Sequence, residues 1–235
     1  LIRGLHNLKN QTGCALTIGN FDGVHVGHQE IIKKLVSTAK NLNVPSLVVS
    51  FSVTPESFFG RPKARLSSFR DKHLYLKSLG VDKHLLIRFN GEFSQISAQS
   101  FIDDVLVKKI KVKYCYVGDD FRFGKDRLGD CNMLQEHSID HGFTVEIVDG
   151  VGIDNQRVSS SAIRKLLSSG DFQTAEKLLG RPFAISGRVA HGDKQGRTIG
   201  FPTANISIRR KLSPVLGVFS VLIRINNITY KGVCN

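Results

Sequence analysis

Cysteine is scarce in this chain. Its four residues, Cys14, Cys115, Cys131 and Cys234, lie far apart, and no two form a C-x-x-C pair. That spacing argues against a disulfide framework and a zinc site; Cys14 and Cys115, within apolar strand-like runs, read as reduced core thiols of a cytoplasmic protein. A long hydrophobic run is also missing: no stretch approaches the roughly 20 apolar residues a membrane span needs, so no membrane partner is expected. There is no signal-peptide pattern. His137 and His141 have i,i+4 spacing, but without a third ligand nearby they do not make a metal site. Acidic residues are outnumbered, 20 against 33 Lys and Arg, for a net charge of +13. The excess favours anionic partners, whether nucleotides, nucleic acid or phospholipid. The positive residues are spread out, the densest run (108–113) reads as a solvated face, and no nucleic-acid module stands beside it.

The chain begins at Leu1 and stops at Asn235 inside an expected strand, which reads as a piece cut at both ends. At 235 residues, 41% hydrophobic and 23% charged, it has the composition of one large or two small globular domains. From 14 to about 148, strands and helices alternate. Strands are expected at 14–18, 46–52, 84–89, 113–118 and 144–148. Helices are expected at 29–42, 67–79, 97–110 (with Ser97 as N-cap) and 132–141. Alternation of this kind predicts an α/β fold, a Rossmann-like parallel sheet covered on both faces. Ligands of such sheets bind beyond the carboxyl ends of the strands. Residues 19–28, 52–59 and 118–124 all fall at such ends.

The stretch 19–28, GNFDGVHVGH, joins a buried strand to a helix start. Free amides and the helix dipole make such a start an anion site, phosphate above all. His25 and His28 can donate to charge developing on a phosphoryl group. The alternative is a tight turn whose glycines serve packing alone, which does not call for a histidine pair. Residues 157–164, RVSSSAIR, open a helix to about 168, and a second follows at 172–179. One serine would suffice as a cap; three, with Arg164 one turn on, suit phosphate. After Gly180-Arg181-Pro182 helical periodicity vanishes. Strands are expected at 184–189, 198–208, 217–225 and 228–233, the start of an all-β barrel domain. Gly187, Gly192, Gly196 and Gly200 precede Phe201-Pro202-Thr203-Ala204-Asn205, where Thr203 and Asn205 would share a strand face. The expected division is 1–182 and 183–235.

In these residues the chain resembles the bacterial bifunctional riboflavin kinase/FMN adenylyltransferase family, also called FAD synthetases. The resemblance covers nearly the whole chain, through GNFDGVHVGH at 19–28, FSVTPESFF at 51–59, VGDDFRFG at 117–124, RVSSSAIR at 157–164 and GRTIGFPTAN at 196–205. It implies an α/β domain that adenylylates FMN to FAD and a β-barrel domain that phosphorylates riboflavin, both with ATP and Mg²⁺. By that resemblance, His25 and His28 contact the triphosphate. Gly19, Phe21, Asp22 and Gly27 shape the turn against the nucleotide. Ser160, Ser161 and Arg164 hold the leaving pyrophosphate. Asp120, Phe121, Arg122 and Phe123 line the flavin or nucleotide crevice, and Thr203 and Asn205 bind Mg²⁺-ATP in the kinase domain. Phe51, Phe58 and Phe59 could contact a flavin ring, with core packing an equal alternative for Phe51. The family's kinase base and the rest of its barrel would lie beyond Asn235, so kinase activity is expected of a longer chain. Two other readings stand beside this one: another HxGH nucleotidylyltransferase acting on a different phosphate monoester, and a basic nucleic-acid-binding module. The oligomeric state is not legible.

Overall fold

The computed structural model describes residues 1–9, 11–154, 156–191, 200, 203–208 and 212–235. Six strands form one parallel sheet: β1 (Ile2–Arg3), β2 (Cys14–Ile18), β3 (Ser46–Val53), β4 (Lys83–Arg88), β5 (Val112–Gly118) and β6 (Thr144–Val148), in the order β1-β4-β3-β2-β5-β6. The helices between them are α1 (Val26–Asn41), the short α2 (Pro55–Phe58), α3 (Phe69–Ser78), the short α4 (Gly91–Ser94), α5 (Ala98–Ser100) and α6 (Cys131–His141). Alternate residues of β2 and β3 point to opposite faces, and each face is covered. Leu16, Val49, Cys115 and Val117 pack under Phe101, Ile102, Val105 and Leu106. Ala15 and Val48 pack under Ile32, Leu35 and Ala39 of α1. All five residues of β2 are buried, as its unbroken apolar run requires.

Strand order reverses at β2: the chain winds outward through β3 and β4, then returns to pair β5 on the other side. A crevice opens at such a switch point, beyond the carboxyl ends of the strands. After β6 come the hairpin β7 (Gly152–Ile153) and β8 (Gln156–Arg157), then α7 (Ser160–Ser168), whose first residues line the crevice, and α8 (Phe172–Leu179). These two helices share a small core of their own with Leu66 and Val158. Among the described residues, no helix is long and apolar enough to cross a membrane.

Several expectations shift. The first helix begins at Val26, three residues early, because His25 caps it: His25 Nδ1 accepts from the His28 amide. The helix capped by Ser97 continues past Ser100 as a π-helix, Phe101–Ile110. The strand expected at 184–189 starts only at β9 (Arg188–Ala190), because Ser186 is drawn to α3 by a 2.6 Å bond to Asp71. β9 pairs antiparallel with β10 (Asn205–Ser207), and β11 (Phe219–Ile225) with β12 (Ile228–Cys234). Gly192, Gly196, Phe201, Pro202 and most of the first half of the strand expected at 198–208 lie outside the described residues. Thr203 precedes β10 instead of sharing a strand face with Asn205, and both are exposed.

Candidate active site

Beyond Ile18 the backbone turns through conformations few side chains tolerate. Phe21 has φ 46°, Gly23 φ 79° and Val24 φ 41°. Positive φ at a β-branched residue is costly and persists only where surroundings enforce it. Here Phe21 and Val24 are fully buried. Val24 O accepts from Gln29 Nε2 (2.9 Å) and Arg181 Nη1 (3.3 Å), and Gly23 O accepts from Arg181 Nη2 (2.6 Å). Arg181 also lies over the Tyr75 ring at 4.1 Å.

This strained turn delivers two stacked imidazoles. The His25 and His28 rings are 3.6 Å apart and 18° from parallel, and Phe21 tilts against His28 at 4.9 Å. Burial lowers the His25 pKa to about 4, opposed by Asp22 and assisted by Arg164 and Arg181. Burial likewise holds His28 well below the usual histidine range, helped by His25 and Lys72. Both rings are therefore neutral near pH 7. A neutral His25 that accepts at Nδ1 carries its proton on Nε2, which leaves one donor. His28 Nδ1 is buried without a partner among the described residues. So the capping bond gives one of the two histidines a structural duty as well.

Asp22 ties three segments together. Its carboxylate accepts from the amides of Leu66 (3.0 Å) and Ser67 (3.2 Å) and from Arg164 Nη2 (2.6 Å). Its carbonyl accepts from Ser160 Oγ (2.9 Å). Arg164 Nε adds a 2.6 Å bond to Ala64 O. Ser159 is the α7 N-cap, accepting from the Ala162 amide. The result is a crevice of about 180 Å³, bounded by Asn20 and Asp22, Phe51 and Thr54, Arg65 and Lys72, and Ser159, Ser160, Ser161 and Arg164. Lys63, Arg65, Lys72 and Arg164 there outnumber Asp22 and Glu56. Hydroxyls, helix-start amides and a basic lining suit an anionic, phosphate-bearing ligand. A second cavity, about 370 Å³, lies between α3 and residues 181–186 and contains neither histidine.

The turn 19–28 and the start of α7, far apart in sequence, are thus brought to one place. Asp22, Ser160, Ser161 and Arg164 line the crevice; His25 and His28 are not among its lining residues. His25 is buried, and the aromatic edge of Phe21 would meet any side chain placed at Gly19, the nearest ring carbon lying 3.2 Å from that Cβ. A Cβ at Gly27 would sit 3.4 Å from His25 Nδ1, so this glycine gives the ring room.

The loop after β5 behaves differently. Phe123 is a core residue and does not line this crevice: it pairs with Gly129, tilts against Phe101 at 5.3 Å and stacks on Phe121 at 5.4 Å. Arg122 pairs with Asp130 at 3.1 Å. Asp120, Phe121 and Arg122 likewise do not line the crevice. Phe58 is 40% exposed and joins Phe59 and Phe89 in an aromatic group, while Phe51 reaches the crevice itself.

Asn20, Arg65 and Lys72 escaped sequence reading. For Lys72 a signal existed: it occupies the apolar stripe of α3, between Phe69 and Leu76, where a charge is out of place. Arg181 offered none, because the carbonyls of Gly23 and Val24 that it holds are distant in sequence and only that of Leu179 is near.

A family profile described as FAD synthetase matches residues 7–162, and one described as riboflavin kinase matches residues 179–235. The bifunctional riboflavin kinase/FMN adenylyltransferase of Escherichia coli K12 is 48% identical over 225 residues, covering 94% of this chain and 72% of that protein. The Haemophilus influenzae protein of the same description is 46% identical, with 100% and 78% covered. A solved structure from Streptococcus pneumoniae, described as a macrolide-efflux protein, has a TM-score of 0.82 at 29% identity, covering 99% of this chain and 78% of that one.

Proposed function

The chain belongs to the bifunctional riboflavin kinase/FMN adenylyltransferase family, an enzyme family of FAD biosynthesis, and we propose that its crevice beyond β2 and β3 is where AMP passes from ATP to FMN. Membership favours this substrate pair over another phosphate monoester and over nucleic acid. The observation that carries the placement is the meeting of Asn20 and Asp22, from the turn that leads into the two histidines, with Ser160, Ser161 and Arg164 in one basic crevice.

In this reading the FMN phosphate attacks the α-phosphorus of ATP. The new P–O bond forms as the bond to the β-phosphate oxygen breaks, and pyrophosphate leaves. A phosphate monoester is already a nucleophile near neutral pH, so no strong general base is needed. The protein supplies positioning and charge compensation. Ser161 and Arg164 hold the β- and γ-phosphates, while the Ser160 hydroxyl ties the start of α7 to the Asp22 carbonyl beside them. His25 and His28, neutral and packed face to face, donate hydrogen bonds toward the reacting end. Residues 1–182 perform adenylyl transfer, and 183–235 belong to the riboflavin kinase part.

Among the described residues no three His, Cys, Asp or Glu gather as a metal site. Mg²⁺ would enter the adenylyl site as MgATP, with phosphate oxygens as its ligands. In the kinase part the Thr203 hydroxyl and Asn205 amide oxygen are hard donors of the type Mg²⁺ takes, and there it would neutralise phosphate charge. The thiols Cys14, Cys115, Cys131 and Cys234 are all free, which suits a reducing cytoplasm. Incubation with ATP and FMN, with and without Mg²⁺, tests the reading. FAD and pyrophosphate should appear in equal amounts, and absence of FAD from FMN overturns it.

A further inference from the structure

Lys72 is a buried cation with incomplete compensation. It stands in the first turn of α3 and is only 8% exposed. Its Nζ donates to Asn20 O at 3.0 Å, a neutral carbonyl. An ammonium has three donors, and burying one is costly unless it is paired. Among the described residues Lys72 enters no ion pair within 4.0 Å; Asp22, the carboxylate that acts on it, is engaged by Arg164 at 2.6 Å. Next to it, Asn20 Oδ1 is buried with no partner among the described residues. Both residues line the crevice with Ser160, Ser161 and Arg164.

We propose that Lys72 is a phosphate-binding residue of this crevice, whose ammonium meets the negative charge of the ATP triphosphate. The proposal rests on the crevice being the ATP site. Charge supplies the reason: Arg164 already spends part of its guanidinium on Asp22 and Ala64, and α3 adds to the same lining a cation that is in no ion pair among the described residues. Burial lowers the Lys72 pKa to about 8, with Asp22 opposing and Arg65 adding to the fall. The other groups acting with it are His84 from β4 and His28 from α1, both neutral at that pH. At pH 8.5 a share of Lys72 is therefore deprotonated, and a bound triphosphate should draw the proton back.

The test is calorimetry with α,β-methylene-ATP at pH 8.5 in two buffers of different ionisation enthalpy, together with steady-state FAD formation, for the whole chain and its Lys72→Met and Lys72→Arg variants. The unsubstituted protein should take up a fraction of a proton per nucleotide. Lys72→Met should lose that uptake, and its kcat/KM for ATP should fall roughly 10- to 100-fold, as loss of a charge-assisted contact does. Its KM for FMN should stay nearly constant. Lys72→Arg should also lose the uptake, because arginine does not titrate there, while keeping most of the activity. Wild-type kcat/KM for ATP in Lys72→Met, or uptake that persists in either variant, overturns the proposal. Should Lys72→Met fail to fold, Lys72→Arg still decides through its uptake. Ser161→Ala and Arg164→Ala separate the two ideas: if they too leave ATP binding unchanged while FAD still forms, the crevice is not the ATP site. If only the Lys72 variants are silent, this proposal alone falls.

Discussion

Arg164 Nη2 and Asp22 Oδ2 are 2.6 Å apart, joining the start of α7 to the turn after β2 across 142 positions of sequence. The pair is mostly buried, with side chains 20% and 15% exposed. The same carboxylate holds the amides of Leu66 and Ser67. Arg164 is therefore fixed in direction before any ligand arrives, and Asp22 is a structural keystone of the site more than a ligand contact.

Asp22→Ala should leave a buried guanidinium and two amides uncompensated, destabilising the fold by about 2–4 kcal/mol. Urea denaturation measures it. In a double-mutant cycle with Arg164→Ala the losses should not add, since the two residues share one network. Additive losses would show that the two act separately.

His28→Ala should lower FAD formation by roughly 100-fold or more, as removal of a donor to transition-state charge does. Because both histidines are already neutral near pH 7, the wild-type rate should show no imidazole titration between pH 6 and 8. A His28→Ala enzyme with wild-type turnover would reduce the motif to a structural turn.

Acid should weaken the fold through its buried histidines. His25 and His84 titrate near 4 and 3 when folded, against 6.5 when unfolded. As pH falls below 6.5 the unfolded chain takes up protons first, so stability is full above that value and declines toward the folded pKa values. From pH 7 to pH 5 each histidine should cost roughly 2 kcal/mol. Urea midpoints at the two pH values check the sign; equal midpoints would contradict it.

Ser160 and Ser161 should part company. The Ser160 hydroxyl is committed to Asp22 O, so Ser160→Ala should cost about 1 kcal/mol of stability. Ser161 is exposed at the crevice, so Ser161→Ala should raise the KM for ATP several-fold and leave the melting temperature unchanged. Thermal melts and ATP titrations of the two variants separate these effects.

The parallel α/β architecture was legible because each element carries its own signal. β2 and β3 are apolar runs buried on both faces, and Ser97, Ser159 and the stripe through Ile32, Leu35 and Ala39 follow helix periodicity and capping. The crevice partners 19–28 and 157–164 were legible as motifs, since an anion site needs hydroxyls, amides and cations in local order. Their contacts were not. That Arg164 turns to Asp22 and that Phe123 enters the core beside Phe101 depend on which surfaces the strand order brings together. The same holds for Lys72. Its place in α3 follows from local periodicity, but only the packing of α3 against the turn after β2 buries its charge beside Asn20, within a crevice suited to phosphate.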